Sequence, residues 1–431
     1  MAKTQHLSPP STRSLPGPLR VFLQVNALVT ATCLLTELFC RLRHLPETYL
    51  NPFYIGFRFY DFDSFQKRFH DLHTLAFFRV DQPSSFSYPA PAAFVYATFF
   101  PLGVEASLNT FLAFTIICFF GAAFVFAGAL MQRGTPARTS FVYTAAAVAL
   151  AFPFWFCFQR GNIEIVVWVV LALGLWAFTR EHDYAAAFCF GLAASLKLAP
   201  IIYLGLFLSR RQYRQAAFGL AVAAISMLLG FEFVGPTIPA AWQGMAAAAA
   251  DRKHEFLTKF DFNAIGFDHT PLGIVSRIVH NAPAMADIAK WYLIAAALLG
   301  LALYVFRIRK LPMLNQILCL SIAAVWLPPA SFEYTLMHLY FSIVLLALAS
   351  FSSPQQSIYP MMILLALLVS PLSEFIFHGV RFGGQIKAVL LLILFAMALL
   401  RPIFSSLDAP SKPPAEREDT MKPAHASLLH T

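Results

Sequence analysis

Long apolar runs recur from Val21 to Leu400, separated by short polar breaks. A helix that crosses the ~30 Å hydrocarbon core of a bilayer needs about 20 such residues. The runs are too long for strands and lack period-two alternation. Lipid offers no hydrogen-bond partner to an open backbone, so helices are the spanning form left to them. The chain is 58% hydrophobic and 12% charged, against roughly 45–50% and 25% in soluble domains. These features predict an all-α polytopic membrane protein with about 11–13 spanning or half-spanning helices over residues 20–404. The segments 1–19 and 405–431 are rich in Pro, Ser and charge and are read as disordered cytoplasmic tails.

Lys and Arg exceed Asp and Glu by nine, but the excess lies in short clusters between apolar runs. That is the placement expected of cytoplasmic loops, so the charge implies no nucleic-acid partner. Arg210-Arg211-Gln212-Tyr213-Arg214, Arg307-Ile308-Arg309-Lys310 and the basic N-terminus are assigned to the cytoplasmic side. Both long polar segments, 41–87 and 235–286, then fall on the outer face, as does Pro328 to Glu333. The predicted spans lie near 21–40, 88–103, 107–130, 139–158, 163–179, 184–209, 216–234, 287–305, 313–331, 335–351, 358–376 and 385–400. Arg133 and Arg138 conflict with this count: either 88–103 does not cross fully, or the charge rule fails at that loop. The run 184–209 is too long for one tidy helix and too short for two. Lys197 and Pro200 interrupt it, which predicts two short helices meeting near Lys197 with both outer ends cytoplasmic. The six cysteines mostly fall inside apolar runs with no CxxC spacing, and suggest neither zinc nor a disulfide framework.

Chemistry needs polar groups, and here they stand out against their surroundings. Asp61 and Asp63 lie in Tyr60-Asp61-Phe62-Asp63-Ser64-Phe65. From Phe65 onward, Phe65, Phe69, Leu72 and Ala76 mark one face of an amphipathic helix suited to a bilayer surface. Asp63 stands at its expected N-cap, with Gln66 three residues on as in a capping box. Asp61 is left as either a solvated loop acid or a proton acceptor for a hydroxyl nucleophile. Arg160, Asn162 and Glu164 occupy a nearly spacerless break between two apolar runs, either a hairpin turn at Gly161 or a polar wall for a sugar or phosphate. Lys197 either snorkels to an interface or holds a phosphate as a point charge. Glu333, Tyr334 and His338 follow the Pro328-Pro329 break; Glu333 and His338 are five apart and share no helical stripe. Asp251 to His280, with Lys253, His254, Lys259, Asp261, Asp268 and His269, is read as a solvated loop rather than an acceptor site. No P-loop or Rossmann pattern is present, so no cofactor is expected, and two acids alone make a poor metal site.

Four blocks stand in a telling order. They are Asp61-Phe62 with Tyr88-Pro89-Ala90-Pro91; Arg160 to Glu164; Gly191 through Lys197 and Pro200 to Arg210-Arg211; and Pro329 to Tyr334. Over roughly Val21 to Ser350 the chain resembles glycosyltransferase family 87, membrane enzymes of GT-C fold related to polyprenol-phosphate-mannose-dependent mannosyltransferases. The resemblance implies a polyprenyl-phosphate sugar donor, a glycan or glycolipid acceptor, and transfer outside the cytoplasm. It implies a catalytic aspartate in the first outer loop, where Asp61 stands, and Lys197 matches the lysine of the family's small-residue helix. Arg160-Gly161-Asn162 departs from the Gly-Gln-x-Asn of many relatives. Relatives often carry His where Tyr334 and Thr335 stand, and no role passes to His338. The expected function is transfer of a hexose, mannose by analogy, with Asp61 as general base and inversion at the anomeric carbon. Donor or substrate contacts are expected from Arg160, Asn162, Glu164, Lys197, Glu333 and Tyr334. The expected location is the plasma membrane, with the site on its outer face. The rival is a lipid-linked-sugar flippase or transporter, which would also hold polar groups near broken helices.

Overall fold

The computed structural model describes residues 16–44, 59–78, 88–258, 266–279, 282–351, 356–374, 376–377 and 380–405. Most of the two tails, much of the segment 41–87, and Lys259, Asp261 and His280 lie outside these residues, as do the side chains of Asp251, Lys253 and His254. The helices are α1 (Gly17–Leu42), α2 (Tyr60–Arg68), α3 (Ala90–Ala97), α4 (Val104–Gln132), α5 (Ala137–Ala149), α6 (Phe152–Arg160), α7 (Glu164–Thr179) and α8 (Asp183–Leu196). They continue as α9 (Gly205–Ser209), α10 (Tyr213–Val234), α11 (Ile238–Thr258), α12 (Pro271–Ile278) and α13 (Ala282–Phe306). The last four are α14 (Met313–Trp326), α15 (Leu339–Ala349), α16 (Ile358–Leu368) and α17 (Gly383–Leu400). Two-turn 3₁₀ segments at Ala199–Leu204 and Glu333–His338 interrupt the helical runs. A two-residue antiparallel pairing of Ile376–Phe377 with Val380–Arg381 is the strand structure among the described residues.

The protein is an all-α polytopic membrane protein. Among the described residues, five helices are long and apolar enough to cross a bilayer, in α1, α4, α10, α13 and α17. The pair α5 and α6, bent by 54°, is a broken span or a re-entrant loop. Pro153 sits in the first turn of α6, where its missing N–H breaks no helical bond but closes off a straight continuation from α5. Large apolar side chains such as Leu298, Leu299 and Leu301 on α13 remain exposed, as lipid-facing positions must.

Two ambiguities in the middle of the chain resolve. The segment Ala90–Leu102 is a short apolar helix ended by a 3₁₀ turn, not a full crossing. Its shortness agrees with the first of the two alternatives posed by Arg133 and Arg138. The run 184–209 is two short elements. Helix α8 stops at Lys197, whose backbone is extended (φ −154°, ψ 126°), and the chain returns through Ala199–Leu204 into α9. The outer ends of this hairpin meet: Gln212 donates to Asp183 (2.5 Å), and Arg210 lies 4.0 Å from it. Lys197 therefore stands at a tip about 21 Å from that end, given 1.5 Å per helical residue. Helix α8 packs against α10 backbone to backbone; a side chain on Gly191 would come within 2.2 Å of the Gly219 carbonyl.

Helix α17 shows that the molecule has two chemically distinct ends. At its start, Gly384 N–H donates to Gly266 O (2.8 Å), and Lys387 pairs with Glu333. At its finish, Arg307 donates to Leu399 O and Asn315 to Ala398 O. Eighteen residues separate these ends by about 27 Å. The Arg307–Lys310 cluster lies at the second end, and Tyr304 there bonds Gly205 O in α9, close to Arg210.

Two expectations need correction. The segment 235–286 is largely helical, carrying α11, α12 and the start of α13. Asp268 and His269 within it are buried, not solvated. The helix expected from Asp63 onward also differs: α2 begins at Tyr60, before Phe65, and ends at Arg68. Its apolar face points inward, with Phe65 stacked on Tyr96 (4.3 Å between ring centres) and Phe62 against Phe111 (5.1 Å). An amphipathic stripe shows which face is apolar; here protein rather than lipid covers it.

Candidate active site

The break between α6 and α7 builds the centre of the site. Helix α6 ends in a Schellman turn: Asn162 N–H donates to Cys157 O, Gly161 N–H to Phe158 O, and Gly161 adopts φ 61°. A glycine is required twice over here. A Cβ at Gly161 would sit in the left-handed region and meet Phe62 Cβ at 2.8 Å. The bare turn lets α2 settle on it, fixed by Phe59 N–H to Gln159 O (2.6 Å) and by the Tyr96 hydroxyl to Gly161 O (3.0 Å). That seating delivers Asp61, in the first turn of α2, to the turn's polar side chains.

Asp61 is nearly buried and held from one side. Arg160 Nη2 donates to Oδ1 (2.8 Å) and Nε to Oδ2 (3.4 Å), while Asn162 Nδ2 donates to Oδ2 (2.6 Å). Asn162 also donates to the Tyr88 hydroxyl (2.6 Å) and accepts the Glu164 N–H (2.9 Å). One fully buried amide thus orients the aspartate, a phenol and the first turn of α7. Burial first, then the Asp61 charge, push the Tyr88 phenol well above its ordinary range, so it stays a neutral hydroxyl.

Glu164 forms a second polar knot beside the first. It is fully buried; Lys197 Nζ donates to Oε2, and His338 Nε2 donates to Oε1 (2.7 Å). Lys197 also lies 4.8 Å from the Tyr334 ring centre, a cation–π contact. The broken helix explains the lysine's reach, because an extended residue at the hairpin tip turns its side chain toward α7 rather than along α8.

Asp61, Arg160, Asn162, Glu164, Lys197 and Tyr334 therefore converge. Glu333 does not join them. It is buried on the other side of its 3₁₀ turn, where Lys387 Nζ bonds its Oε2 (2.6 Å) and also Ser370 O (2.8 Å). Asp63 is not the N-cap of α2 either: that place belongs to Phe59 in the left-handed conformation (φ 56°), and Asp63 pairs at the surface with Lys67 (2.6 Å). Sequence reasoning gave His338 no role and missed Lys387 and the hydroxyl of Tyr88. Lys387 carried the same signal as Lys197, a lone lysine in an apolar run.

A clasp of uncharged and acidic groups borders the site. Asp268 accepts from Ser331 N–H (3.1 Å), Thr270 N–H (3.0 Å) and the Thr270 hydroxyl (3.2 Å), and His269 bonds Thr335 (3.2 Å). Burial pushes the Asp268 carboxyl up to about 7, the hydrogen bonds offsetting only part of it, and lowers His269 so that its imidazole stays neutral.

The model of the family described as "Glycosyltransferase family 87" matches residues 86–328, more than half of the chain. A curated relative from Mycobacterium tuberculosis, a polyprenol-phosphate-mannose-dependent alpha-(1-2)-phosphatidylinositol mannoside mannosyltransferase, is 27% identical over 157 residues. That alignment covers 34% of this chain and 36% of the relative, so the chain spans about a third of the length of the curated relative it matches. No solved structure matches.

Proposed function

The chain belongs to glycosyltransferase family 87, and from that premise we propose that it moves a hexose, mannose by analogy with the relative's donor, from a polyprenyl phosphate to an acceptor hydroxyl. The acceptor is a glycan or glycolipid at the outer membrane face. The bilayer delivers the donor, so the reaction calls for no nucleotide sugar. The single observation that carries this reading is the juxtaposition of one oriented carboxylate, Asp61, with two cations, Arg160 and Lys197, at a polar break in a membrane protein.

In the proposed step the acceptor oxygen attacks the anomeric carbon as its proton passes to Asp61. The bond from that carbon to the phosphate oxygen breaks, and polyprenyl phosphate leaves with the electron pair. A single displacement inverts the anomeric centre. Arg160 and Lys197 stabilise the charge that develops on the leaving phosphate. Ring-faced Tyr334 and the amide of Asn162 border the sugar. The outer-face assignment rests on the basic clusters at the end of the molecule where α17 finishes, with the site toward its start.

The test is a membrane assay with polyprenyl phosphomannose. Wild type should release polyprenyl phosphate; Asp61→Asn, expressed at the same level, should lose about 10²–10⁴-fold in rate. Activity close to wild type would remove Asp61 from the role of base. Movement of intact sugar-lipid without cleavage would favour a flippase instead.

A further inference from the structure

The two cations of the site are held very differently. Lys197 is tied to Glu164, which is fully buried and shared with His338. Arg160 is tied to Asp61 in the more accessible pair, with side-chain exposures of 23% and 10%. Two bonds from the guanidinium fall on the oxygens that the reaction needs as a base, through Nη2 to Oδ1 and Nε to Oδ2. A guanidinium has five donors in one plane and suits a phosphate as well as a carboxylate.

We propose that Asp61 and the donor phosphate compete for Arg160, so that this arginine passes from the base to the leaving group during transfer. The inference rests on the reading of Asp61 as base and of a polyprenyl-phosphate sugar as donor. Its chemistry balances. The donor is a phosphodiester with one negative charge, and the departing polyprenyl phosphate gains a second. In the same step Asp61 takes the acceptor proton and becomes neutral, so its hold on the guanidinium falls as the phosphate's rises. One positive charge thus serves two groups in turn. Before transfer it orients the carboxylate; afterwards it stabilises the leaving group. Lys197 cannot do this, because Glu164 has no part in the proton transfer and keeps its charge.

A double-mutant cycle on the full chain in detergent or nanodiscs tests it, with polyprenyl phosphate as the probe. Asp61→Asn imitates the protonated base. It should bind polyprenyl phosphate about tenfold more tightly than wild type, the size of a single charge-mediated coupling. The gain should vanish in the Arg160→Gln background and be partial with Arg160→Lys, which keeps the charge without the fork. It should also be smaller for polyprenyl phosphomannose, which carries one charge fewer. A gain that persists undiminished in Arg160→Gln would mean plain repulsion between Asp61 and phosphate and would overturn the proposal. Absence of any gain in Asp61→Asn would overturn it as well. In either case loss of transfer in Asp61→Asn would leave the base assignment standing. Failure of the wild type to bind polyprenyl phosphate at all would overturn the donor reading and this inference together.

Discussion

Glu164 is the site side chain whose loss the protein should tolerate least. It is fully buried and serves two basic partners, Lys197 and His338. Glu164→Ala strands both, and breaking such a buried pair costs about 3–5 kcal/mol; Lys197, about a quarter exposed, regains part of this from solvent. Thermal unfolding in detergent should show a clear fall. Replacing the ion pair, as Glu164→Leu with Lys197→Met, should restore part of the stability, since His338 still lacks its acceptor, but none of the transfer, because the cation that stabilises the leaving phosphate is gone. The polar residues themselves were legible in the sequence, since each is costly in an apolar run and so calls for a partner. Their pairings were not. Asp61 and Arg160 stand 99 residues apart, and Glu164 and His338 stand 174. Two lysines, Lys197 and Lys387, and two glutamates, Glu164 and Glu333, can be matched in more than one way from sequence. Only the fold shows that Glu333 takes Lys387 and leaves the site. Asp63 misled for a local reason: its capping-box spacing was right, but Phe59 turns left-handed and starts the helix before Asp63 is reached.

At the scale of the element, the turn Gly161 makes is what brings two segments of the chain into one site. Gly161→Ala combines left-handed backbone strain, about 1–3 kcal/mol, with a contact on Phe62 Cβ that α2 must yield to. The expected outcome is a modestly lower unfolding midpoint and a much larger loss of transfer, since Asp61 moves away from Arg160 and Asn162. A fall in stability with unchanged transfer would show that α2 need not seat on this turn. The broken helix at Lys197 could be read in advance because its length suited neither one span nor two, and Pro200 supplied the break. The shortness of the helix at Ala90–Leu102 was half legible, since a partial crossing was one of two ways to reconcile Arg133 and Arg138 with the count of spans. The 54° bend between α5 and α6 was not, because Pro153 in a first helical turn fits equally well at a fresh start and at a kink.

For the whole molecule, the separation of a basic end from the site end predicts sidedness. Single cysteines placed at Arg211 and at Lys67, both exposed, should react oppositely with an impermeant maleimide on intact cells. Lys67→Cys should label directly, and Arg211→Cys only after permeabilisation; the reverse pattern would turn the site to the cytoplasm. The clasp at Asp268 adds a pH dependence. It joins the segment before α12 to Ser331, just ahead of the turn that carries Tyr334 and His338. Burial raises its folded-state pKa to about 7, whereas the unfolded carboxyl titrates near ~3.9. Between those values the folded protein binds the extra proton. The Asp268 contribution is therefore fully present below about pH 4 and is lost as pH rises through about 7. The unfolding midpoint should fall from pH 5 to pH 8 by this contribution. Asp268→Asn keeps an acceptor for the Ser331 and Thr270 N–H groups but cannot ionise, so its midpoint should change less over the same range. An equal slope in the variant would place the pH dependence elsewhere. Because the clasp holds the turn from which His338 reaches Glu164, wild-type transfer should lose more at pH 8 than that of the variant.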